Sequence, residues 1–455
     1  MAGNVSEKRR QMMLEWDTKK LLGSMAIPPI ISQLIGKIYN LVDAYFVSTL
    51  GTAATAGVGV NGSLEHTITM VGGLLGAGAC SYIARLLGEK RNLDADRVLS
   101  TSFFTGIGFG CIVAILGTIF IHPLMSLFCS NAESLPYAIE YGTYVLLAAP
   151  FMIGSFILTM CLRSEGASTL AMVGTMAGGI LNCFLDPLFI YTFDMGVAGA
   201  SIATAISKVF SFMILLWPYL KKNCSVQIAI RKVKFVLLDF KEVVSIGSTS
   251  LLRSLCNIIC SVLINRIAGT FSTAALAAIS LANRVMEFPF AIILGFSQGC
   301  QPVIGFNWGA KRLDRVHDCL KVSSVIAIVG SLVFSAILFA AANPVIQIFN
   351  KQADLEVLRL GAMCIRLQCI TLVFHGFDSV INAFYSGTGQ AKFALLMSTA
   401  RQGYCFLPTI LTLPFLFGAE GIVACQATAD LLALAVVLPL AIKAFKSVRQ
   451  TEALE

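Results

Sequence analysis

Apolar residues along this chain gather into long blocks, separated by short polar breaks or by breaks marked with Pro and Gly. A helix needs roughly 20 apolar residues to cross a hydrocarbon core about 30 Å thick. Only helices and closed barrels satisfy their own backbone polar groups there. Reading from break to break predicts spans at 22–50, 55–85, 98–121, 139–162, 168–192 and 197–219. A polar, basic stretch from Lys221 to Lys241 follows, and then six more spans at 242–268, 274–305, 320–342, 356–386, 393–415 and 421–443. The pattern predicts an all-α integral membrane protein with twelve transmembrane helices. Its parts are a tail at 1–20, a six-helix lobe at 21–220, a linker at 221–241, a second six-helix lobe at 242–443 and a tail at 444–455.

The two lobes are related in sequence. Cys183-Phe184-Leu185 returns as Cys405-Phe406-Leu407, and Gly196 with Gly199 returns as Gly418 with Gly421, each 222 residues later. The loops repeat as well: GEKRNLDADRV from Gly88 matches GAKRLDRV from Gly309, and RSEGAS from Arg163 matches YSGTGQ from Tyr385. An even number of spans per half lets both halves enter from one side, a parallel repeat of the kind from which many transporters are built. The stretch from Lys221 to Lys241 is expected to act as a tether between rocking lobes.

Composition sharpens the class. Of 455 residues 56% are hydrophobic and 13% charged, with mean hydropathy +0.80, far from the roughly 25% charged content of soluble domains. The two tails and the even-numbered loops carry 25 of the 33 Lys and Arg residues, the odd-numbered loops contribute only Lys351, and none occurs from Val98 to Leu162. Cytoplasmic loops collect such charge, so both termini are expected in the cytoplasm. The net charge of +8 then reports orientation, and no nucleic-acid partner is expected. The first twenty residues are polar, so no cleaved signal peptide is expected.

Several chemistries find no support. The fourteen cysteines sit mostly singly within apolar runs, without CxxC or metal spacing, and are read as reduced thiols. GFNWGAKR lacks the Walker spacing, HExxH does not occur, and the one GxSxG match, Gly295 to Gly299, lies inside the apolar run 274–305. His66, His122, His317 and His375 are too few and too scattered for a membrane enzyme. Gly72, Gly73, Gly76 and Gly78, with Gly174 and Gly178, are read as sites of close helix packing. No cofactor is expected.

Polar residues inside spans are the functional candidates, because a carboxylate at membrane depth is costly and turns to a cavity or a partner. Asp43 and Asp186 stand out; a capping role for Asp43, and a helix end at Asp186 before Pro187, are the structural alternatives. Gln33, Lys37, Asn40 and Asp43 form a stripe on span 1, Asn182 and Asp186 share a face of span 5, and Thr204 and Lys208 share a face of span 6. One hypothesis pairs Lys208 with Asp186; the alternative has its stem reaching for the interface. Desolvation favours a protonated carboxyl and a nearby cation the ionised form, and with Lys37 and Lys208 close in sequence the balance is open. At the repeat offset Asp43 falls on Ile264 or Asn265 and Asp186 on Pro408, so the second lobe lacks both carboxylates and any role they have is expected to be asymmetric. Asn61 and Glu65 do recur, as Asn283 and Glu287. Glu65 and Glu287 are candidates for a cation-attracting substrate cleft, against a purely structural pairing of Glu287 with Arg284. His375 and Asp378 share a face of span 10 and are a further candidate, since histidine titrates near neutrality.

YNLVDAYFVSTLG (Tyr39 to Gly51), NCFLDPLFIY (Asn182 to Tyr191), GVAGASIATAIS and QPVIGFNWGAKRLDRV together resemble the MATE (multidrug and toxic compound extrusion) family, and the corresponding features cover the chain in order. The resemblance implies a secondary antiporter of the bacterial plasma membrane that expels amphipathic or cationic small molecules in exchange for H+ or Na+ by alternating access. It implies ion coupling at Asp43 and Asp186, the only places a Na+ ion is expected, with support from Asn182 and Thr204 and a hinge at Pro28. Asn40 and Lys208 are placed beside them on the strength of their positions. A monomer is expected. The rival within the superfamily is a lipid-linked oligosaccharide flippase, which would want a strongly cationic cavity and extra spans.

Overall fold

The computed structural model describes residues 2–129, 132–271, 273–349 and 354–452. Lys351, the cation expected on an odd-numbered loop, lies outside them. Helices α1 (Ala2–Glu15), α2 (Thr18–Ser48), α3 (Thr52–Gly88), α4 (Asn92–Ile119), α5 (Ile121–Phe128), α6 (Leu135–Leu147), α7 (Ala149–Ser164), α8 (Ser168–Pro187) and α9 (Gly196–Leu220) form the first half. The second half holds α10 (Leu237–Phe271), α11 (Thr273–Gly309), α12 (Leu313–Phe349), α13 (Leu355–Gly387), α14 (Ala391–Thr399) and α15 (Phe406–Glu452).

Among the described residues, ten helical runs are long and apolar enough to cross a membrane, and α6 with α7, bent by 53°, makes an eleventh. The last run, Ala391–Arg449, is interrupted at Gly418 (φ 61°, ψ −136°). That break divides it in two and completes the twelve spans. The proline-bearing spans continue rather than stop: α8 passes through Asp186-Pro187 into a π turn at Leu188–Thr192. Asp186 is therefore not a helix end.

The repeat is written in the backbone. Lys90 and Lys311 (φ 64° and 57°), Gly166 and Gly389 (both 82°), and Gly196 and Gly418 (54° and 61°) occupy matching left-handed positions. At the first pair the turn closes identically, Arg91 N donating to Leu86 O at 2.8 Å and Arg312 N to Asn307 O at 2.9 Å.

The chain divides into two compact units, one of Met1–Glu15 with Ile31–Gly247 and one of Trp16–Ile30 with Ser248–Glu455. The division inside α2 falls directly after Pro28-Pro29, both within the helix. In the second unit Gly295 and Gly299 of α11 lie against Ile30 and Ala26; a Cβ at Gly299 would sit 2.4 Å from Ala26 Cα.

In the first unit, α1 is held by Arg9, which donates to Glu165 at 2.9 Å, and by buried Met13. Burial pushes the Glu165 carboxyl up from its ordinary pKa, while the Arg9 guanidinium and the Ser225 N–H pull it back. The stretch from Lys221 to Lys241 is not a slack tether. Gln227 N and Lys232 Nζ both donate to Asp96, Arg97 donates to Asp239 at 2.7 Å, and Arg85 reaches Glu242 at 3.0 Å. The linker thus belongs to the first unit.

Helices α3 and α10 cross at two glycines. A Cβ at Gly78 would lie 1.9 Å from Val243 O, and one at Gly247 1.8 Å from Leu74 O. Overpacking of this kind costs about 1–3 kcal/mol. Gly78→Ala and Gly247→Ala are each expected to lower the melting temperature of the detergent-solubilised protein, followed by fluorescence-detected size exclusion, while Gly59→Ala, which meets open space, leaves it unchanged.

Candidate ion and substrate sites

The first-unit site starts from a close approach. Gly178, Asn182 and Asp186 lie one turn apart on α8, and a Cβ at Gly178 would stand 2.8 Å from Ser207 O on α9. Without a side chain there, α8 and α9 meet closely enough for Asn182 Nδ2 to reach Thr204 Oγ1 at 3.4 Å. The same amide donates to Asp186 Oδ1 at 3.0 Å. Thr204 continues to the Tyr141 hydroxyl on α6 at 3.3 Å, and the Asp43 carboxyl of α2 is a close electrostatic neighbour of Asp186.

Asp186, Asn182, Thr204 and Tyr141 are buried, at 0%, 2%, 7% and 3% exposure, and Asp43 is half-buried. Asp43 Oδ1, Asp186 Oδ2 and Asn182 Oδ1 are withdrawn from solvent with no hydrogen-bond partner. Unpaired buried oxygens are costly, and oxygen donors of this type suit a proton or a hard cation.

Lys208, one turn beyond Thr204, sends its ammonium to Glu65 at 3.5 Å and to the Tyr39 hydroxyl at 3.3 Å. This corrects the hypothesis that Lys208 pairs with Asp186: the α3 carboxylate and the α2 phenol take the ammonium instead. Asn40, on the same stripe of α2, is exposed. Pro28 is buried, in the part of α2 that packs with the second unit.

The Asn/Glu pair that recurs in sequence does not recur in environment. Asn61 is fully buried and donates to Gly57 O and Ala138 O, both at 3.0 Å, whereas Asn283, Arg284 and Glu287 are exposed.

In the second unit, His375 and Asp378 line a small cleft together with Phe374, Arg401, Asp430 and Val437. Asp430 is the hub, accepting from Arg401 Nε at 2.7 Å, Gln426 at 2.9 Å and Thr371 at 2.9 Å. Arg401 also stacks over Phe290 at 4.5 Å, against whose ring His375 stands edge-on. His375 Nδ1 and Asp378 Oδ1 are buried without a partner.

Sequence reading missed Tyr39, Tyr141, Arg401 and Asp430. Tyr39 was within reach, since it lies one turn before Asp43 on the same face. Nothing in sequence separates Tyr141 from Tyr144, and Arg401 lies inside the predicted span 393–415, on a π turn at 400–404.

Comparison with known proteins now bears on this geometry. The MatE family model matches residues 28–188 and 247–410, one match in each half. The chain belongs to the MatE family. Its relatives include "Multidrug export protein MepA" of Staphylococcus haemolyticus (strain JCSC1435), 26% identical over 405 residues, covering 89% of each chain. A solved structure described as the outward-facing conformation of a multidrug resistance MATE family transporter superposes with TM-score 0.90 at 25% identity, covering 97% of this chain and 98% of the other. A transporter from Pyrococcus furiosus, described as having reversed binding-pocket polarity that suggests a different function, superposes with TM-score 0.90 at 25% identity over 97% and 99%. The MatE chain described here is a multi-pass membrane transporter of twelve spans and not an enzyme.

The Asp430–Arg401 pair is nearly dry, at 4% and 13% side-chain exposure, and breaking such a pair from one side costs about 3–5 kcal/mol. Asp430→Asn is expected to reduce thermal stability far more than Asp314→Asn, whose pair with Arg312 is half-exposed and worth at most about 1 kcal/mol. Thermal denaturation of the purified variants checks this, with Asp430→Asn/Arg401→Gln expected to recover part of the loss.

Proposed function

We propose that this MatE protein exports amphipathic, cationic small molecules by alternating access, in exchange for inward-moving protons or sodium ions. The observation that carries the reading is the Asp43–Asp186 pair, with three unpartnered oxygens around it. With its proton in place the pair carries one negative charge. Once the proton leaves, two adjacent carboxylates repel each other and call for a cation, so occupancy of this site is tied to the charge that crosses the membrane. Asn182 orients Asp186, Thr204 and Tyr141 extend the chain of polar contacts, and Glu65 holds Lys208 aside from it. The multidrug export function named for its Staphylococcus relatives supports the substrate class. In this reading the protein sits as a monomer in the bacterial plasma membrane with both termini cytoplasmic.

The deciding experiment is efflux of a fluorescent organic cation from proteoliposomes under separately imposed proton and sodium gradients. Wild type is expected to respond to one of the two gradients, and Asp43→Asn and Asp186→Asn to fall to the level of empty vesicles. Export that persists in both variants sinks the coupling role; no export under either gradient points to another cargo, such as a lipid-linked saccharide. In the same assay Glu65→Gln, which releases Lys208, is expected to impair export, and Glu287→Gln to have a smaller effect.

A further inference from the structure

The stretch from Lys221 to Lys241 joins a membrane span ending at Leu220 to one beginning at Leu237, so it lies at the level of the bilayer surface. One side of it is fastened to α4. Besides the contacts to Asp96, Ala229 N donates to Ser100 Oγ at 3.2 Å, Ser100 Oγ to Gln227 O at 3.4 Å, and Lys234 N to Thr101 Oγ1 at 3.4 Å. Asp96, Ser100 and Thr101 form one face of the first turns of α4. The segment is therefore held in a fixed orientation.

Its other side is apolar and basic. Ile230, Phe235, Leu237 and Leu238 are 72%, 71%, 82% and 65% exposed, and Lys221, Lys222, Arg231, Lys234 and Lys241 are exposed among them. Asp239 is the only acidic residue from Lys221 to Lys241, and it is engaged by Arg97 and Tyr82. Trp217, 57% exposed, carries the Lys221 ammonium 4.6 Å above its ring, an arrangement suited to the headgroup layer where indoles concentrate.

We propose that this face of the linker is a membrane-surface element, seating Ile230, Phe235, Leu237 and Leu238 among acyl chains while its lysines and Arg231 bind the headgroups of acidic phospholipids. Large apolar side chains this exposed need cover, and their alternation with cations matches the boundary between acyl chains and anionic headgroups. Because the opposite side is clamped to α4, the lipid contact is made by the first unit as a body.

The test places a reporter at the centre of the face. Phe235→Trp protein is reconstituted in mixed phosphatidylglycerol and phosphatidylcholine vesicles in which one lipid or the other carries brominated chains, with wild type giving the background of Trp16, Trp217 and Trp308. Quenching of the added indole is expected, and more strongly when the phosphatidylglycerol is brominated. Arg231→Gln/Lys234→Gln is expected to abolish that preference, and Arg231→Lys/Lys234→Arg to keep it. An unquenched, water-exposed indole, or quenching that depends on protein concentration rather than on lipid, overturns the proposal. Equal quenching by both lipids overturns the acidic-headgroup assignment. If the glutamine variant does not fold, the Phe235→Trp protein alone still decides.

Discussion

Inside a bilayer a polar atom has no water to fall back on, so each one must find a protein partner or serve a ligand. This constraint organises the molecule. It makes the spans helical, and it leads prolines such as Pro187 into a π turn instead of a chain end. It gathers isolated polar side chains of α2, α6, α8 and α9 into one connected chain of contacts. Asn61 shows the constraint met on its donor side, with its amide nitrogen donating to two carbonyls. Asp43, Asp186 and Asn182 show it met only in part, and that shortfall makes them a candidate ion site rather than a structural knot.

Much of this was legible in the chain. Twelve apolar blocks became twelve crossings, and the duplicated motifs proved to mark shared left-handed turns, because glycine and turn chemistry are local and survive divergence. The i, i+4 spacing of Asn182 and Asp186 put them on one face, as helical geometry requires. What failed was whatever depended on which helix stands next to which. Lys208 is far closer in sequence to Asp186 than to Glu65, and only packing pairs it with Glu65. Asn40 shares a stripe with Asp43 yet is exposed where Asp43 is half-buried. Glu65 and Glu287 look alike in the repeat but have different neighbours, so sequence symmetry did not become symmetry of environment.

The polar clusters of the two units also differ in kind. In the first, carboxyl groups meet one another and an amide, with the cation Lys208 drawn off to Glu65. In the second, Asp430 accepts from three donors and Arg401 is spread over an aromatic ring, while His375 Nδ1 and Asp378 Oδ1 beside them are buried without a partner. The duplicated scaffold thus carries a cation-centred polar cluster in one copy and a carboxyl-centred one in the other.

The assignment of Trp16–Ile30 to the second unit bears on how the protein can be divided. The backbone passes between units after Glu15, after Ile30 and after Gly247, so the halves of the gene and the halves of the molecule are not the same halves. A nick in the linker from Lys221 to Lys241 would leave two fragments still interlaced through α2, and a second half produced alone would lack the helix that fills the groove over Gly295 and Gly299. Reassembly from separately made pieces therefore calls for a cut at Gly247 and for residues 16–30 to be supplied with the C-terminal piece, an exchange of parts that a simple tandem duplication does not require.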